Sequence, residues 1–196
     1  MKSLLLLLIT FSLESQAQIG GQDLTSAMTA AAVELSVFVD QEHFEAYEAS
    51  VVDDEIHISI LADSSLYSFG CHFHGPTMAC HEESDDGHKS TNEKMPGLSR
   101  LIAGEQAALS KLKVTLERRG LSLDAMTSYK VWGVSDHNKD DDHEHGADVW
   151  TKANYLLNGK LQTVFIQCHE HTGSSNLACH FMSQAVAEPD LTKKQN

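Results

Sequence analysis

Positive charge is scarce in this chain. Its 196 residues hold 14 Lys and Arg against 28 Asp and Glu, a formal net charge of −14, which repels phosphate backbones and anionic lipid and argues against nucleic acid or a membrane surface as partner. Long apolar runs are scarce too. The one near the start, Leu4 to Phe11, falls well short of the roughly 20 residues that cross a bilayer. Catalytic signatures are missing: there is no nucleophile elbow, no glycine-rich phosphate loop and no HExxH pair. Cationic partners, metal ions above all, remain favoured.

The ends are informative. Lys2, the apolar run and the small-x-small triplet Ser15-Gln16-Ala17 read together as an export signal over residues 1–17. Losing Lys2 and Glu14 with it leaves the net charge at −14. The expected location is therefore outside the cytoplasm, periplasmic or extracellular. Cysteine is limited to four residues, an even number that an oxidising compartment turns into two disulfides. Of the three connectivities four cysteines allow, the local one is preferred: Cys71 with Cys80 and Cys168 with Cys179, each pair bracketing a Gly-containing turn, HGPT or HTGSSN.

The element pattern is written twice. A helical stretch from Leu24 to Val39, with Leu24, Met28, Ala31, Leu35 and Phe38 on one face, precedes strand-like segments HFEAYEASV, EIHISIL, LYSFGCHFH and MACHEE. After a polar link, Pro96 and Gly97 open a clearer amphipathic helix with Leu98, Leu101, Ile102, Leu109, Leu112 and Leu116 on one stripe, ended by Gly120. Then come SYKVWGV, ADVWTKANYLL, the turn Asn158-Gly159, LQTVFIQCHEH and LACHFMS. The expected fold is α+β: two tandem repeats, 18–90 and 91–185, each a helix packed on a roughly four-stranded antiparallel sheet with a hairpin disulfide, followed by a disordered tail over 186–196. This layout resembles that of the β-lactamase inhibitor proteins, a likeness of architecture that carries no site residue across.

The histidines are the abundant feature, 12 in all, and strand alternation aims six of them. In the first hairpin Tyr67, Phe69, Cys71 and Phe73 share one face, the core face, and His72 and His74 the other. Pairing Cys71 with Cys80 sets His81 opposite Gly70, on the face of His72 and His74. The second hairpin repeats this, with Cys168 inside and His169, His171 and His180 outside. Three convergent neutral imidazoles with one open position suit zinc or copper.

A bland alternative stands beside this, in which the imidazoles form a solvated face and the disulfides staple a small exported domain. A reduced Cys–His zinc site is opposed by export and by the opposite parity of the thiols. The acidic insert offers Asp136, His137, Asp140, Asp142, His143 and His145 as an accessory metal set; its DHNKD opening imitates a calcium loop, but Asp141 stands where the sharp turn needs Gly and no Glu follows at the twelfth position. Three functions follow: an exported zinc or copper binder with no organic cofactor, a secreted protein-binding or inhibitory module using the same face for an unidentified protein, and a metallohydrolase built on one hairpin. The last would use Glu82 or Glu170 as base, and it is opposed by their having the parity of the cysteines.

Overall fold

A computed structural model describes residues 19–52, 55–87, 96–134, 148–170, 177–185 and 188–191, with the backbone alone for 84–87. Among the described residues are two α-helices, α1 (Gly21–Leu35) and α2 (Leu98–Glu117), and eight strands: β1 (Phe44–Val52), β2 (Glu55–Ala62), β3 (Ser65–His74), β4 (Thr77–Gly87), β5 (Met126–Val134), β6 (Asp148–Leu157), β7 (Lys160–Glu170) and β8 (Leu177–Met182).

The helices start and stop where local chemistry dictates. At the N-terminus of α1 the Asp23 carboxylate accepts the Gly20 N–H at 2.9 Å, tying down a backbone donor that has no partner inside the helix. The helix ends at Leu35, earlier than the expected Val39, and the chain turns through 36–39. Phe38 consequently leaves the buried stripe and is 80% exposed, while Val39 folds back into the core. Helix α2 ends in a Schellman motif: Gly120 takes φ +73°, the Leu121 N–H donates to the Leu116 carbonyl, and the Gly120 N–H donates to that of Glu117. A side chain at Gly120 would strain that left-handed turn.

All eight strands belong to one antiparallel sheet in the order β4-β3-β2-β1-β5-β6-β7-β8. The roughly four-stranded sheet expected in each half is not a sheet of its own but one half of a continuous one: two four-stranded meanders are joined along β1 and β5. The physical reason is that each meander alone would expose the first strand as an unpaired edge. Joining them hydrogen-bonds both and, among the described strands, leaves β4 and β8 at the margins. Glu48 stands opposite Lys130 at this junction, and their side chains form a 3.0 Å ion pair.

Both helices lie on one face. Their stripes, Leu24, Ala27, Met28, Ala31 and Leu35 on α1 and Leu101, Ala108, Leu109, Leu112 and Leu116 on α2, join alternate residues of the strands in a continuous buried cluster. Each disulfide lies beneath a helix, Cys80 Sγ 3.3 Å from the Ala27 carbonyl oxygen and Cys168 Sγ 3.6 Å from that of Gly104. The opposite face carries a smaller cluster, Ala46, Leu66, Trp132, Trp150 and Leu191. Trp132 and Trp150 are direct cross-strand partners with ring centroids 6.3 Å apart. Over them runs the segment 188–191, within the expected tail: Leu191 is buried, and the Glu188 carboxylate accepts bonds from Lys130 Nζ and Lys152 Nζ.

Candidate functional site

The hairpin of β3 and β4 has the register that alternation predicts. Cys71 faces Cys80, His72 faces Ala79 and Gly70 faces His81, and Cys71 is bonded to Cys80. The disulfide fixes the hairpin from the helix side, so the three imidazoles emerge together on the other side. All three are exposed, and one nitrogen from each lies within 4.8 Å of the other two. Ring centroids are 4.6 Å apart for His72 and His74, 5.3 Å for His72 and His81, and 6.2 Å for His74 and His81.

The closest approach is between the two Nε2 atoms of His72 and His74, at 2.8 Å. Two neutral imidazoles meet in this way only when one ring donates its N–H to the lone pair of the other. Nitrogens sharing a tetrahedral ion at about 2.0–2.1 Å stand about 3.4 Å apart. Accommodating an ion therefore asks this pair to open by about 0.6 Å and the widest pair to close by at most about 1.4 Å, within the reach of exposed side-chain rotation.

Two neighbours escape a search confined to the hairpin histidines. His57 is opposite Gly70, so His57, Gly70 and His81 form one row across β2, β3 and β4. A register irregularity opposite Ser68 and Phe69 leaves Glu83 unpaired in β4. Its carboxylate lies over Gly70, with Oε1 2.8 Å from where a Cβ would stand, and Oε2 is 3.9 Å from His57 Nδ1. The signal was available: Glu83 has the parity of His81. Phe73 has the parity of Cys71, yet beside the β3–β4 turn it is 48% exposed.

The second hairpin has Cys168 bonded to Cys179, with Gln167 opposite His180 and His169 opposite Ala178. The rings of His169 and His180 stack at 5.2 Å and 19°. His171 lies outside the described residues, as do the accessory residues Asp136, His137, Asp140, Asp142, His143 and His145. Glu170 is turned to the helix side, where Arg100 of α2 binds its carboxylate. The two histidine patches occupy diagonal corners of the outer face: five strand intervals across and roughly six residues along separate them by about 30 Å, too far to share an ion.

The core holds a polar group that the motif search did not find. Glu105 of α2 is buried among the strands, and the Tyr47 hydroxyl donates to its Oε2. Tyr129 is buried beside it, with a hydroxyl that makes no hydrogen bond of normal geometry. Burial pushes the Glu105 carboxyl above the usual carboxylate range, against the opposing pull of the two hydroxyls. Burial and then the Glu105 charge push both phenols well above theirs.

No protein-family model, curated protein or solved structure matches the chain.

Proposed function

We propose that the protein is an exported binder of a divalent transition metal, zinc or copper, with His72, His74 and His81 as the ligands of one site. The observation that carries this reading is the convergence of three exposed imidazole nitrogens within 4.8 Å, on a hairpin whose geometry a disulfide holds from behind. Imidazole is a fitting ligand for both ions, and three such ligands leave a position for water or a fourth donor. Glu83 and His57 stand next in the row and orient or supplement the site. We read the chain as two tandem helix-plus-sheet repeats, so that His169, His171 and His180 form a second, independent site. Export agrees with the two disulfides and with the absence, among the described residues, of a helix long and apolar enough to cross a membrane.

The test is calorimetric titration of the chelator-stripped, oxidised protein with Zn²⁺ and then Cu²⁺, beside a variant with His72, His74 and His81 changed to Asn. Saturable binding with a Kd of about 1 μM or tighter, lost for one equivalent in the variant, is the expected result. Binding that is absent, or unchanged in a folded variant, overturns the reading. Retained capture of a protein partner by that variant would then favour the second reading, a protein-binding module.

A further inference from the structure

A cleft of about 460 Å³ opens between the two helices, on the side of the molecule opposite the histidines. Met28 and Thr29 of α1 form one wall, and Ile102, Glu105 and Leu109 of α2 the other. Its volume falls within the range of about 300–1,000 Å³ that small-molecule sites occupy. The lining is mixed: Met28, Ile102 and Leu109 are apolar, and hydroxyl side chains, Gln106, the exposed Lys113 and the buried Glu105 supply the polar part.

That acid decides the chemistry. Glu105 is only 6% exposed, yet it reaches the cleft. Its partner, the Tyr47 hydroxyl, lies behind it and engages Oε2. No Lys, Arg or His pairs with Glu105 among the described residues. A buried carboxylate whose partner is a hydroxyl and not a cation is costly to ionise. A group of this kind that lines an accessible cleft has the properties of a binding determinant.

We infer that the cleft between α1 and α2 binds a small organic cation, an ammonium head with an apolar body, by pairing the head with Glu105. The head supplies the missing countercharge, and the body covers Met28, Ile102 and Leu109. Recognition by a charge-assisted bond in a desolvated site discriminates strongly against an isosteric neutral or anionic ligand.

The probe is octylammonium, compared with octanol and octanoate at sub-micellar concentration, with binding read by calorimetry and by NMR shifts of the helix amides. Octylammonium is expected to bind saturably at one equivalent, at least tenfold tighter than octanol, with octanoate weaker still. Glu105→Gln is expected to keep the fold and erase the preference for the amine. Thr29→Trp, from the exposed edge of the cleft, is expected to weaken octylammonium and octanol alike. Absence of saturable binding, equal affinity for octanol, or an amine preference that survives in Glu105→Gln overturns the inference. The imidazoles take no part, so failure here leaves the metal reading intact, and the converse.

Discussion

Glu105 stands four residues from both Leu101 and Leu109, at the centre of a stripe where helical spacing asks for an apolar side chain. Its carboxyl is raised by burial, which sets a sign. The folded state holds the proton to higher pH than the unfolded chain does, so stability falls as pH climbs from the ordinary carboxylate range through the raised value. Glu105→Gln is therefore expected to be more stable than the parent at pH 7. Urea unfolding at a series of pH values should show the difference closing as pH falls below about 4, where the unfolded parent also becomes protonated. A difference that stays constant across that range would remove the carboxyl as its cause. The same residue shows a limit of pattern reading. An acid inside an apolar stripe is visible in the sequence, but its two tyrosine neighbours come from strands 58 and 24 residues away in the chain, a proximity that only tertiary pairing creates. The shared face of His72, His74 and His81 needed nothing beyond alternation and one cross-strand disulfide, and it was legible for that reason.

Gly70 and Gly104 make opposite predictions. A Cβ on Gly70 meets the far end of the Glu83 side chain, which can swing aside; Gly70→Ala should leave stability nearly unchanged while displacing Glu83 from His57. A Cβ on Gly104 would stand 2.3 Å from Cγ1 of the fully buried Val149. There α2 must lift from β6, and Gly104→Ala should cost about 1–3 kcal/mol in denaturant unfolding. Val149→Ala removes both Cγ atoms but keeps a Cβ 2.5 Å from the new methyl, so the double variant should recover only the share of the clash due to the Cγ atoms, a coupling that a double-mutant cycle measures.

At the level of elements, each strand was readable because its alternation repeats every second residue and because hairpin turns join near neighbours. The end of α1 was not. Val37 and Phe38 continue an apolar pattern that suits helix or strand equally, and the turn after Leu35 is fixed by where the chain must enter β1. The β1–β5 pairing was hidden for a different reason. Alternation reports which side of a strand is buried and is silent about which strand lies alongside it.

Across the whole molecule, the segment 188–191 ties together strands of the sheet centre. Burial alone would raise the Glu188 carboxyl, but bonds from Lys152 and Lys130 outweigh it and hold the group below the usual range. Its stabilisation is thus complete at neutral pH and lost as pH falls through that lowered value. Trp132 and Trp150 are the chain's two tryptophans, and both are buried under or beside this segment. A chain ending at Ala185 should accordingly emit at longer wavelength and lose about 2 kcal/mol, the contribution of burying one leucine. Unshifted emission would mean that the segment does not cover the indoles in solution.

The Glu48–Lys130 pair has one more consequence. Every facing pair of an antiparallel ladder lies on a local two-fold axis of the backbone, and at Glu48 and Lys130 that axis passes between opposite charges. In an assembly of two identical chains, a residue at such a point would face its own copy, glutamate against glutamate or lysine against lysine. Covalent continuity lifts that restriction: one polypeptide can set opposite charges on its own axis, a complementarity that no pair of identical subunits can reach.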